Sequence, residues 1–466
     1  MLRTFSIVRA GWSEVLYLDA AATAPMRREA LEAAWPYLTG EFGNPSSQHE
    51  LGKRAAAGLT AARRGVARVL GVRAGEITFT SGGTEGDNLT IKGLALARPR
   101  GRHLVTAATE HEAVLASVDY LRRLHGFEVS YVAVDRQGVV TPEALREVLR
   151  EDTTLVSLAL ANNEIGTVQD IAALTEVAHE VGALLHTDAV QAAGWLELDA
   201  KALGVDALSL SGHKVGAGKG IGAVYIRGRL PLEPVLHGGG QERERRSGTE
   251  NVAAAVALET ALRLAEADRA ERAARVAEAR DVFLARVREV VPTAVLTGAE
   301  PASGASAEAH QGASAEAPAG LIPNSAPSTS AQASVTTSTT SARGASAEAL
   351  SPTPNGQMQT ASAEASPPEA ARPLPLKRLP NHASFCFPGI SGEAVLLELE
   401  RRGVITSSGS ACAAGSEEPS HVLLACGIDP EVAFTSVRFS FSDVTSSDLL
   451  AAADALRAAV AAVQAI

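Results

Sequence analysis

The chain has 466 residues, 46% of them hydrophobic, enough to bury more than one core, which predicts a large domain and a smaller one. Its 42 Lys and Arg against 53 Asp and Glu leave a net charge of −11, and no basic tract interleaved with aromatics occurs, so a direct nucleic-acid partner is not expected. Three cysteines form no disulfide framework and no apolar run approaches a membrane span, so the expected setting is the reducing cytoplasm, off the membrane.

Residues 1–14, with Arg3 and Arg9 and no long apolar centre, read as an N-terminal extension that lacks a secretory signal. Glu76 to Ser81 reads as a strand, Gly82-Gly83 as a tight turn, and the next helix is predicted to start with Thr84 as its N-cap and Asp87 three residues on. Backbone N–H groups and the positive helix end favour an anion there. A plain strand-to-helix connection has the same pattern. Neither nucleotide fingerprint, G-x-x-x-x-G-K-[ST] or G-x-G-x-x-G after a first strand, is present, so a small phosphate-bearing cofactor fits better than ATP or NAD. The apolar runs Leu104 to Ala107, Val129 to Val134, Leu155 to Ala161 and Ala223 to Ile226 alternate with helical patterns. They predict an α/β fold with a mainly parallel sheet covered on both faces.

In Leu184 to Gln191 a short apolar strand ends on Asp188, with Gln191 three residues further. A carboxylate buried there needs a cationic or hydrogen-bonding partner. A protonated pyridine nitrogen is one such partner; Mg²⁺ and ribose hydroxyls are others. The run Ala207 to Leu210 then closes on Ser211-Gly212-His213-Lys214, followed by glycines at 216, 218 and 220. An amine behind a buried strand, among residues that let a ligand come close, suits covalent chemistry, and a glycine-rich turn with a tethering cation is the bland alternative. Together Lys214 and Asp188 match the pair used with pyridoxal phosphate: a lysine for the Schiff base and an acid for the pyridinium. Arg243, Arg245 and Arg246 make a local basic cluster close to Thr249, which is expected near the cofactor phosphate or the substrate mouth.

From 298 to 376 the chain turns rich in Ala, Ser, Thr and Pro, and Ser-Ala-Glu-Ala recurs at Ser306, Ser314, Ser346 and Ser362. Such a stretch has too few large apolar side chains to offset the entropy of ordering and reads as an inert flexible insertion. Beyond it, Cys386 and Cys426 have large apolar neighbours and are expected to pack, whereas Cys412 lies among Ser, Gly and Ala, where its thiol is exposed and able to move.

Ordered motifs carry a resemblance. They are Tyr17-Leu18-Asp19-Ala20-Ala21-Ala22-Thr23, Gly43-Asn44-Pro45-Ser46-Ser47, Thr80-Ser81-Gly82-Gly83-Thr84-Glu85, Thr109-Glu110-His111, Asn162-Asn163-Glu164-Ile165-Gly166, the Asp188 strand end, the Lys214 turn, Gly238 to Arg243, Arg246 to Thr249, and the Cys412 loop. The chain resembles the cysteine desulfurases of the NifS/IscS kind, in the class V aminotransferase group of fold type I pyridoxal phosphate enzymes. The resemblance implies a large cofactor-binding domain over 15–262 and a smaller α+β domain within 263–466. It implies that Lys214 holds pyridoxal 5′-phosphate, Asp188 pairs with the pyridinium nitrogen, and Gln191 bonds the ring hydroxyl. His111 is expected over the ring face, carrying protons near the substrate thiol. Gly83, Thr84, Ser211 and His213 are expected to bind the phosphate, with Thr249 contributed by the second subunit of a homodimer. Asn163 faces cofactor and substrate, and Arg438 clamps the substrate carboxylate. Cys412 then takes sulfur from L-cysteine as a persulfide, leaving L-alanine, and passes it to an acceptor such as an iron–sulfur scaffold or a tRNA thiolation carrier. No metal is expected. A selenocysteine lyase would use the same residues, another class V aminotransferase-type enzyme would need no mobile cysteine, and a non-catalytic sulfur relay would not need Lys214 and Asp188.

Overall fold

The computed structural model describes residues 15–97, 99–228, 230–301, 377–409 and 418–465, all within one compact unit. The N-terminal extension, the Ser-Ala-Glu-Ala repeats and Cys412 lie outside the described residues.

The strands, in chain order, are β1 (Leu16–Tyr17), β2 (Ile77–Thr80), β3 (His103–Ala107), β4 (Glu128–Val132), β5 (Thr153–Ala159), β6 (Leu184–Asp188), β7 (Ala207–Ser211), β8 (Gly222–Ile226), β9 (Val295–Leu296), β10 (His382–Cys386), β11 (Val404–Ile405) and β12 (Val437–Ser440). Seven form one sheet in the order β2-β8-β7-β6-β5-β3-β4. β8 alone runs against the rest, so the expected mainly parallel sheet is found.

Side-chain alternation explains why this sheet is covered on both sides. Val105, Val156, Leu208, Leu210 and Tyr225 pack with the helices Glu50–Val69 and Val252–Ala267, while their neighbours Leu104, Leu155, Ala207, Val224 and Ile226 pack with Gly83–Ala97 and Glu112–His125. β4 is the edge strand and keeps only Val132 buried.

A second core gathers around the antiparallel sheet β12-β10-β9, where Phe283 of the helix Arg269–Val290 meets the rings of Phe439 at 5.1 Å and Phe441 at 5.9 Å. β1 pairs with β11 in parallel, and Asp19 bridges to Ser440, so the N-terminal segment joins this sheet and leads from it to the ends of the large sheet.

Two expectations need correction. The helix after β2 starts at Gly83, not after Thr84, so Thr84 lies exposed in its first turn and Asp87 is 1% exposed, inside the fold. Capping comes instead from Glu85, whose Oε2 accepts from the Ser81 N–H at 2.8 Å. The insertion also begins later than 298: Ala299 is fully buried, donates its N–H to Thr167 Oγ1 at 3.0 Å, and offers its carbonyl to Arg378 Nε at 2.6 Å. Small residues were read as loop there, but Gly298 is a packing glycine with φ +77 whose Cβ would overlap the Ile165 carbonyl.

Candidate active site

The strands β2, β3, β5, β6 and β7 end on the same edge of the sheet, where α/β folds bind ligands. Asp188 is the last residue of β6 and Ser211 the last of β7, and one helical turn, Gly212–Val215, presents His213 and Lys214. Gly83 and Thr84 follow β2, His111 follows β3 as the N-cap of Glu112–His125, and Asn163 follows β5.

The Lys214 amine donates to the Ala21 carbonyl and, at 2.7 Å, to the Ala22 carbonyl. Gln191 Nε2 shares the Ala21 carbonyl at 3.1 Å. Lys214 and Gln191 line an open pocket with about 310 Å³ of empty space together with Trp195, Asn381, Phe441 and Ser442. Asp188 is buried, with Oδ1 accepting the Val190 N–H at 2.8 Å. Burial raises its proton affinity, and the charges of His111 and Lys214 oppose that rise, which places all three groups within mutual electrostatic reach.

The His111 ring accepts the Ala113 N–H on Nδ1 at 3.0 Å, so the proton of the neutral ring resides on Nε2. His213 is lowered to about 4, mainly by burial and then by Lys214 and Lys219, and its Nδ1 stands 3.2 Å from Thr23 Oγ1. It is therefore neutral at physiological pH and can serve as a donor without adding charge.

Arg438 is 1% exposed. Its Nη2 donates to Asp19 Oδ1 at 2.9 Å and to Ser407 Oγ at 2.8 Å, and its Nη1 donates to the carbonyls of Asn163 and Gly409, both at 3.1 Å. Its Nε has no partner among the described residues. Thus Arg438 fixes both the Asn163 loop and Gly409, next to the segment that carries Cys412.

Thr249 lines a second cavity, of about 580 Å³, with Ser81, Glu242 and Arg246, and Arg246 grips Glu85 through Nε at 2.7 Å. Arg243 does not join them; its guanidinium holds the Ile77 carbonyl at the far end of β2. Cys386 and Cys426 are buried free thiols pushed up to about 12 by burial, which makes them unreactive packing residues.

Residues 16–316 match the family described as aminotransferase class-V. The chain is 38% identical over 437 residues to the cysteine desulfurase IscS of Methanosarcina thermophila, covering 94% of this chain and 89% of that protein. The chain belongs to the cysteine desulfurases. Among solved structures, a NifS-like protein superposes with a TM-score of 0.74 at 29% identity, over 95% of this chain and 98% of that one. A structure titled SspA in complex with cysteine superposes with a TM-score of 0.66 at 28% identity, over 92% of this chain and 99% of that one. This desulfurase is thus a pyridoxal 5′-phosphate enzyme with the NifS-like fold.

The residues present fit that cofactor. Asp188 is a buried carboxylate whose burial penalty a ring N–H⁺ would relieve, and Lys214 supplies the amine beside the cavity. At the phosphate end, the first N–H groups of Gly83–Ala97 have no partner within their own helix. A Cβ on Gly83 would come 2.7 Å from Val190 Cγ2, so only glycine lets the helix end sit against the Asp188 strand. Ser211 stands beside that turn, its Oγ 3.9 Å from the Cβ position of Gly82.

Sequence reasoning missed Asp19, Ser407 and Gly409 as partners of Arg438, and Glu110 and Asp87 beneath Asp188. Thr109-Glu110-His111 was noticed as a motif, but nothing local marks Glu110 as buried.

Proposed function

We propose that this desulfurase takes sulfur from L-cysteine onto Cys412 and hands it on to a thiol-bearing acceptor protein, an iron–sulfur scaffold or a thiolation carrier. The observation that carries the reading is the convergence of Lys214, Asp188 and His111 at one sheet edge, with Arg438 anchoring the chain just before the Cys412 segment. Bound pyridoxal phosphate supplies an electron sink for the substrate Cα.

The chain's own groups do the rest. Asp188 holds the ring nitrogen's proton, Gln191 orients the ring edge, and Gly83, Thr84, Ser211 and His213 receive the phosphate. Lys214 would hold the cofactor, and its free amine would move the substrate Cα proton. Arg438, whose buried Nε lacks a partner among the described residues, receives the substrate carboxylate with Asn163 beside it. His111 relays a proton through Nε2 between the substrate thiol and the Cys412 thiol. The Cys412 thiolate attacks the substrate sulfur: the new S–S bond forms as the Cβ–S bond breaks, the electron pair of that bond stays with Cβ, and protons delivered to Cβ and, by Lys214, back to Cα yield L-alanine. A second thiol or a reductant then removes the sulfur.

We also propose that the chain works as a homodimer in which Thr249 reaches the phosphate of the partner subunit, that the large domain spans 15–262 with the smaller one in 263–466, and that it acts in the cytoplasm. Among the described residues no helix is long and apolar enough to cross a membrane. Turnover of L-cysteine with a reductant tests the reading: the native chain should release sulfide and alanine in equal amounts, and Lys214→Ala should lose both with its colour. Equal turnover by Lys214→Ala would overturn it.

A further inference from the structure

Asp188 closes β6, and its neighbours in register are Ala159 of β5 on one side and Ser209 of β7 on the other. Each neighbour holds a second acid. The Ala159 backbone N–H lowers the proton affinity of the Glu110 carboxyl, and the Ser209 hydroxyl does the same for Asp87. Glu110 is 4% exposed and Asp87 1%. Among the described residues, Glu110 Oε2 and Asp87 Oδ1 have no hydrogen-bond partner.

The groups that face this cluster are few. His186 Nε2 lies 3.7 Å from Asp87 Oδ1, but burial pulls this ring down to about 3, and its two nitrogens contact Ser157 Oγ and Ser209 Oγ at 2.9 Å. It is neutral and no counter-ion. His421 Nε2 donates to the Glu110 backbone carbonyl at 3.0 Å rather than to its carboxyl. His111 and Lys214 act on Asp188. Three carboxyls therefore share one strand end, where a single ring cation can balance only one charge. Burial first, and Asp188 second, raise Asp87 well above the usual carboxylate range. Burial likewise brings Glu110 to about 8, with Asp188 adding to the rise.

We propose that Glu110 and Asp87 are positioning residues for the cofactor ring: each retains its proton at neutral pH, so that Asp188 alone presents negative charge to the pyridinium nitrogen. The inference rests on the reading of Asp188 as the ring-nitrogen partner. It assigns Glu110, beside His111 in sequence, a role in setting where the charge lies rather than in touching substrate.

Infrared difference spectroscopy of the pyridoxal phosphate-loaded enzyme tests it. At pH 7 the protonated-carboxyl C=O region should lose one band in Glu110→Gln and another in Asp87→Asn. In the wild-type enzyme the Glu110 band should fade as pH is raised through about 8, a readout that stands even where a variant fails to fold. Bands unchanged in both variants, or a wild-type spectrum without a protonated carboxyl at pH 7, would overturn the proposal. Asp188→Asn serves as the control for the underlying reading: a visible cofactor band left in place by that substitution sinks the reading itself, whereas a moved band with unaltered infrared spectra in the other two variants sinks only the proposal.

Discussion

Arg438 and Asp19 form a partly buried ion pair, Nη2 to Oδ1 at 2.9 Å, that ties β12 to the N-terminal segment. The same guanidinium holds the carbonyls of Asn163 and Gly409, so the proposed substrate side of the site and the chain just before the Cys412 segment depend on one side chain. Lysine cannot reproduce the planar fork. Arg438→Lys should therefore raise KM for L-cysteine roughly 10- to 100-fold, the worth of a charge-assisted hydrogen bond, while the enzyme still takes up its cofactor. Steady-state kinetics with a parallel absorbance spectrum measure both, and an unchanged KM counts against the assignment.

In the proposed site, Asp188→Asn would remove the counter-charge at the ring nitrogen and keep the shape. The ring should then favour its unprotonated form, the absorption band should move, and kcat should fall roughly 10²- to 10⁴-fold, as for loss of a positioned acid–base group. Lys214→Ala should lose turnover together with the covalent attachment, detected as cofactor that passes through a desalting column without the protein.

The large sheet should make the fold sensitive to acid through His186. This ring sits between Ser157 and Ser209 and titrates at about 3 in the fold, against an ordinary value near 6.5. The folded state thus binds fewer protons than the unfolded chain between those values. Stability from this group is complete above about pH 6.5 and is lost as pH falls toward 3, by up to about 1.4 kcal/mol per unit. Thermal melts from pH 7 to pH 4 should show a steeper decline in the native protein than in His186→Gln; parallel declines would contradict the assignment.

Phe283 is fully buried against Phe385, Phe439 and Phe441. Phe283→Ala should cost about 3–5 kcal/mol, the range for emptying a packed aromatic site, read as a lowered denaturation midpoint.

What could be read from the chain alone follows from distance along it. Lys214 and Asp188 each announce themselves locally, as an amine in a turn after an apolar run and an acid at the end of one, and the structure places both at the same sheet edge. Alternating apolar runs were enough for the parallel sheet because each strand carries its own pattern. Arg438 enters only through the family resemblance, since nothing in its local sequence marks it, and its partners Asp19 and Gly409 come from other parts of the chain that only the fold brings to it. Asp87 was misread as part of a helix start because Thr84 mimics a cap, while the true start at Gly83 depends on the tight approach to Val190. Ala299 reads as part of the low-complexity insertion from 298, and its burial under Arg378 depends on a side chain from beyond that insertion.

In the proposed reaction sulfur leaves L-cysteine for Cys412. Incubation of the enzyme with L-cysteine in the absence of reductant, followed by alkylation and peptide mass spectrometry, tests it directly. The account predicts one added sulfur atom on the peptide that carries Cys412, none on those that carry Cys386 or Cys426, and one alanine formed for each sulfur bound. Continued alanine and sulfide production by Cys412→Ser, or sulfur found on either buried thiol, would contradict it.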